Sequence, residues 1–207
     1  MLLYAITQRA LFPGDETARA EALLAQVRIL ARGGVHYLQI REKDLPLPAL
    51  QALAAEAVAV TRSEGSSMKV LLNGPAAAGL AAGCEGIHLS SDAPAGAALS
   101  AQHLYRKARR DCIISAACHS LSEVRERSRY ANLLLFSPIF EKVDSQSVIH
   151  GVGLSALSQA VTTAHGVPVL ALGGVTVQNA RDCLAVGAAG VAAIRLFTGQ
   201  EWKSLVG

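Results

Sequence analysis

Aromatic residues are scarce, at 4% of the 207-residue chain. That excludes a nucleic-acid platform of stacked rings, and it leaves the interior to be filled by Ala, Val, Leu and Ile. Charged residues are few as well, 17% against 51% hydrophobic, the reverse of a disordered chain. No apolar run approaches the roughly 18 residues of a membrane span. The first ten residues form a short apolar stretch with no basic residue ahead of it and no cleavage pattern, so the expected setting is the cytoplasm, with no membrane partner. The four cysteines, Cys84, Cys112, Cys118 and Cys183, lack CxxC spacing. Reduced core thiols are expected rather than disulfides or zinc ligands. Nor is the charge strongly unbalanced, at +3. Two basic clusters (Arg106, Lys107, Arg109, Arg110 and Arg125, Arg127, Arg129) have no interleaved aromatics. They read as the solvated outer faces of two helices, so no nucleic-acid partner is expected.

What is present is an alternation of two kinds of segment. Strand-like runs occupy Leu2–Thr7, Tyr37–Arg41, Lys69–Asn73, Gly86–Leu89, Cys112–Ala117, Asn132–Ser137, Val167–Leu172 and Gly190–Leu196. Between them lie Ala/Leu-rich helix-like segments at Thr17–Arg32, Leu47–Glu64, Pro75–Ala82, Ala97–Arg109, Leu121–Tyr130, Leu154–Ala164 and Val177–Val186, with Gln200–Val206 as a short eighth. The strands are nearly continuous in hydrophobicity, which indicates parallel strands covered on both faces. Eight pairs at about 26 residues each fit a compact (β/α)8 TIM barrel, α/β in class, as a single domain over residues 1–207. An open doubly wound sheet has fewer strands and leaves pairs over. Ala-rich outer helices offer a homodimer face. In a closed barrel the site lies where strands end and βα loops begin, so the polar residues there are the candidates.

The second strand ends Gln39-Ile40-Arg41-Glu42-Lys43-Asp44. Alternation puts Gln39, Arg41 and Lys43 on one side. Two cations at a barrel mouth suit an anion such as phosphate; a structural ion-pair network with Glu42 and Asp44 is the other reading. The seventh strand runs into Gly173-Gly174, where paired glycines bring backbone N–H groups close to an anion, or simply make a turn. Arg195, after the eighth strand, adds charge there or points to solvent. His119, at the end of the fifth strand, is the acid–base candidate because its group titrates near neutrality; a surface histidine is the plainer reading. His88 ends the fourth strand, as packing or as site. Lys142 begins the long polar stretch Val143–Gly153, expected to be a structureless loop and a lid, and is a second candidate phosphate contact.

These segments, taken in order, resemble the thiamine-phosphate synthase and TenI superfamily over essentially the whole chain. The pieces are Tyr4-Ala5-Ile6-Thr7, Gln39-Ile40-Arg41-Glu42-Lys43, Asn73, Gly86-Ile87-His88-Leu89, Cys118-His119-Ser120, Ser137-Pro138-Ile139-Phe140 and Ala171-Leu172-Gly173-Gly174-Val175. The resemblance implies a barrel that binds a thiazole phosphate or related thiamine precursor. His119 would shuttle a proton. Gly173, Gly174, Ile194 and Arg195 would hold the phosphate, and Gln39, Arg41, Lys43, Asn73 and Lys142 would complete the binding set.

Two activities divide that superfamily, and the departures from its pattern bear on the choice. The synthase uses Mg²⁺ to help pyrophosphate leave, with Asn-Asp after strand three and a second Asp five residues after the strand-four His. Here those two aspartates are replaced by Gly74 and Ala93, with Asp92 one place early. The Thr and Lys expected after strand six are replaced within Lys142-Val143-Asp144-Ser145, and the Ser before the strand-five His is Ala117. The primary expectation is a metal-independent TenI-like thiazole tautomerase with no cofactor. The alternative is a thiamine-phosphate synthase, in which case Mg²⁺ is required. A non-catalytic phosphate-ligand sensor is the third.

Overall fold

In the computed structural model residues 1–144 and 147–206 are described, with backbone only at 142–144 and 147. The strands are β1 Leu2–Ile6, β2 Tyr37–Ile40, β3 Lys69–Leu72, β4 Gly86–Leu89, β5 Ile113–Cys118, β6 Leu133–Phe136, β7 Lys142–Asp144, β8 Ser147–Ile149, β9 Val169–Leu172 and β10 Gly190–Ala193. The helices are α1 Glu16–Arg32, α2 Leu47–Ser63, α3 Ala76–Ala82, α4 Ala97–Lys107, α5 Leu121–Arg127, α6 Gly153–Thr163 and α7 Ala180–Ala185. Eight strands close into a parallel barrel in the order β1-β10-β9-β6-β5-β4-β3-β2. The (β/α)8 expectation therefore holds.

Local chemistry sets the boundaries. Asp15 caps α1 by accepting from the Ala18 N–H at 2.9 Å, and Ser120 caps α5 through Glu123 N–H. Period-two alternation then divides each strand between two cores. One face sends Leu3, Leu38, Ile40, Val70, Leu72, Ile114, Leu134 and Val191 outward against the helices. The other sends Tyr4, Leu71, Leu135, Leu170 and Ala192 into the barrel. The interior is thus packed rather than open, and ligands are confined to its rim.

Three expectations are corrected. The Val143–Gly153 stretch is not structureless: β7 and β8 form an antiparallel hairpin in which Val143 pairs with Val148, while residues 145 and 146 lie outside the described ones. The terminal segment is a 3-10 turn, Glu201–Leu205, that buries Trp202 against Phe197 with ring centroids 5.8 Å apart. Arg127 does not face solvent. It is 8% exposed, because it shares an α5 face with buried Val124 three residues earlier. All four cysteines are unpaired thiols. Among the described residues no helix is long and apolar enough to cross a membrane.

Candidate functional site

At the end of β2 the acidic and basic residues part company. Glu42 is buried and accepts from the backbone N–H of Arg9 at 3.1 Å and from its guanidinium at 3.2 Å. Asp44 takes both terminal nitrogens of Arg9 at 2.7 Å, and Glu16 takes its Nε at 2.8 Å. Arg9 therefore satisfies the two carboxylates that would otherwise neutralise Arg41 and Lys43. Among the described residues Arg41 and Lys43 make no ion pair. Arg9 was missed in the sequence, since its partners lie 33 and 35 residues away.

Gln39 points into the barrel at 1% exposure. Its amide oxygen accepts from the Tyr4 hydroxyl at 3.1 Å, Tyr4 lies 2.8 Å from Ser115 Oγ, and Ser115 Oγ lies 2.7 Å from His88 Nδ1. A hydrogen-bonded chain thus crosses the interior from β2 to β4. Tyr4 and Ser115 were not anticipated, because isolated hydroxyls on apolar strands give no local signal. Burial, with the charges of Arg41 and Arg127 behind it, lowers the His88 pKa from 6.5 to about 3. His88 is therefore a neutral imidazole at physiological pH, facing Arg41 at the mouth.

His119 follows β5 and is exposed at the rim. Its Nδ1 is 2.8 Å from the carbonyl oxygen of Ser137, at the end of β6, and its backbone N–H donates to Glu123 at 2.6 Å. Arg127 lies 3.7 Å from Glu123 and donates to the carbonyls of Ser90, Ser91 and Ala117. It ties the loop after β4 to the end of β5.

The residue after Ser137 leads to the glycine loop. Gly173 and Gly174 have φ of +93° and +66°. A Cβ on Gly173 would stand 2.8 Å from Pro138 Cα, and one on Gly174 2.8 Å from Glu141 O. The pair is needed both for left-handed backbone and for close packing against the loop after β6. Among the described residues no acceptor meets the N–H groups of Gly173, Gly174, Ile194 or Arg195. Ile194 and the exposed Arg195 open a 3-10 turn, Arg195–Phe197, directly after β10. Of the remaining candidates, Asn73 lines a cavity of about 850 Å³ between the loops after β3 and β4 and helix α4, with Gly74, Asp92, Ser100, His103 and Lys107. The side chain of Lys142 lies outside the described residues.

The donor set around the cavity is sparse for Mg²⁺. Beside the cavity stands one carboxylate, the exposed Asp92, whose pKa is lowered by Ser90, by its own backbone N–H and by the nearby Lys43 charge. Among the described residues no three His, Cys, Asp or Glu side chains are grouped to hold a metal. Mg²⁺ takes octahedral oxygen ligands, one or two carboxylates with waters and substrate phosphates; the exposed Asp92 is the single carboxylate at the cavity, since Gly74 and Ala93 supply none and Glu42 and Asp44 are engaged by Arg9. One exposed carboxylate is a poor holder for that ion.

The family described as thiamine monophosphate synthase matches residues 3–197. The chain belongs to this family. A Geobacter sulfurreducens relative is 33% identical over 193 residues, covering 93% of this chain and 84% of its own. The thiamine-phosphate synthase of Methanoculleus marisnigri is 31% identical over 189 residues, 90% of this chain and 85% of the relative. Among solved structures, a thiamine phosphate pyrophosphorylase from Pyrococcus furiosus superposes with a TM-score of 0.77 at 24% identity, over 98% of this chain and 90% of that one. At that identity the likeness is one of fold. Membership places the chain among thiamine-biosynthesis enzymes, and the relatives' names favour the synthase over the tautomerase of the primary expectation.

Proposed function

We propose that this family member acts on a thiazole phosphate by proton transfer at His119, as a metal-independent tautomerase. One arrangement carries the reading: an imidazole whose Nδ1 is committed to the Ser137 carbonyl stands one residue from the Pro138 contact with the Gly173 loop. A carbonyl only accepts, so Nδ1 donates to it and the longer contact to the Ser137 hydroxyl, at 3.3 Å, is secondary; Nε2 would be the base. Nε2 would take a proton from a ring carbon of a dihydrothiazole carboxylate phosphate. The electron pair left behind enters the ring as it becomes aromatic. The imidazolium then returns the proton to another carbon of the conjugated system, so nothing is gained or lost. N–H groups of Gly173, Gly174, Ile194 and Arg195 would receive the phosphate, and Arg41 and Lys43 the carboxylate.

A second reading, the synthase, is favoured by the names of the relatives. It asks Asp92 alone to do the work of two missing carboxylates. The test is ultraviolet absorbance of the isomerisation with a chelator present. Turnover in wild type and its loss in His119→Ala support the tautomerase. Mg²⁺-dependent coupling of hydroxymethylpyrimidine diphosphate to thiazole phosphate, lost in Asp92→Ala, would establish the synthase instead.

A further inference from the structure

We infer that His88 is a ligand-binding residue whose Nε2, kept free of a proton by the chain through Ser115 and Tyr4 to Gln39, accepts a hydrogen bond from an N–H or O–H group of the bound compound. The direction of the chain follows from its last member. The amide oxygen of Gln39 can only accept, so Tyr4 commits its one proton there. The proton between Tyr4 and Ser115 then belongs to Ser115. The proton between Ser115 and His88 belongs to Nδ1. A neutral imidazole carries one proton, so Nε2 is left with a lone pair.

Water does not compete with these bonds, because Tyr4 and Ser115 are fully buried and Gln39 is nearly so. Nε2 is differently placed. The residue retains 7% exposure, its Nε2 is not sealed from the surface, and among the described residues nothing bonds to Nε2. Packing alone would need only the bond to Ser115. The facing cations Arg41 and Arg127 oppose a second proton. A fixed acceptor beside Arg41 selects an anionic compound that presents a donor, such as a ring N–H, an amino or a hydroxyl group. It rejects an isostere presenting a lone pair at that point. This rests on the reading that the rim binds a small ring compound, whichever reaction follows.

The experiment is a long-range ¹H–¹⁵N spectrum of the ¹⁵N-labelled protein, which reports the proton on each imidazole nitrogen. His88 should show a protonated Nδ1 and a bare Nε2 from about pH 5.5 to 8. Tyr4→Phe removes the acceptor that claims the Ser115 proton, so a form protonated at Nε2 should emerge. His88→Asn keeps an N–H for Ser115 but has no acceptor at the position of Nε2. In the isomerisation assay its KM should rise about tenfold with kcat within about threefold, and inorganic phosphate should bind as before. A wild-type Nε2 that carries a proton, or an unchanged KM in His88→Asn, overturns the inference. If no isomerisation is found in wild type, the tautomerase reading fails while the spectrum still decides the His88 tautomer.

Discussion

His119 Nδ1 lies 2.8 Å from the carbonyl oxygen of Ser137 and its backbone N–H lies 2.6 Å from Glu123, so both the ring and its attachment point are held. A base oriented in this way contributes about 10²–10⁴ in rate. His119→Asn keeps an N–H for the carbonyl and removes the base. Its kcat for isomerisation should fall by about that factor while inorganic phosphate still binds. Because His119 is exposed, the thermal midpoint should stay within about 2 °C of wild type. Equal kcat in the two proteins would remove His119 from the chemistry.

Arg127 is the brace behind that arrangement. It donates to three backbone carbonyls, two in the loop after β4 and one in β5, and stands beside Glu123. Arg127→Met should cost about 1–3 kcal/mol in urea denaturation, since it leaves part-buried carbonyls without their donor. Arg127→Lys should recover less than half of the loss, because an ammonium cannot reproduce the planar fork that spans separate acceptors. If the methionine variant unfolds at the wild-type urea concentration, the brace is energetically idle.

The glycine loop is constrained on two counts. Gly173→Ala forces a side chain into left-handed backbone and against Pro138. A loss of about 1–3 kcal/mol is expected. The N–H groups of the loop should turn away from their shared target, so phosphate affinity should drop at least about tenfold by calorimetry. Gly166→Ala is the control: it also has positive φ, but open space surrounds it. It should lose some stability and no phosphate affinity.

Apolar runs separated by Ala/Leu-rich stretches made the barrel legible, since only parallel strands buried on both faces need such runs. Position at a strand end made His119 and Gly173-Gly174 legible as rim residues. Alternation made Gln39 and Arg41 legible as inward-facing. What stayed hidden depends on closure of the ring. Tyr4 and Ser115 are 111 residues apart in sequence and meet across the interior, and Arg9 meets Glu42 across the β1–β2 seam. Arg127 was concealed by its basic neighbours, although its spacing from Val124 marks it as inward-facing. The β7–β8 hairpin was missed because its pairing is with itself and adds nothing to the apolar periodicity of the barrel.

The last prediction concerns acid stability. Burial first, then Arg41 and Arg127, hold His88 at about 3 against its ordinary 6.5. Between those values the unfolded chain binds a proton that the folded chain refuses, so stability falls as pH is lowered through 6.5 toward 3. The limiting slope is about 1.4 kcal/mol per pH unit for one such group. Glu16, Asp44, Glu64, Asp92 and Glu123 are also held below their ordinary values, but their loss begins only near about pH 4.5. His36 is lowered too, by partial burial and the N-terminal amine, and acts in the same direction. The interval from about pH 6.5 to 5 therefore isolates the histidines. Urea midpoints measured across it should decline in wild type, less steeply in His36→Gln and in His88→Asn, and stay nearly level in the double variant. Parallel declines in wild type and His88→Asn would mean that His88 takes up its proton in the folded state as readily as in the unfolded one.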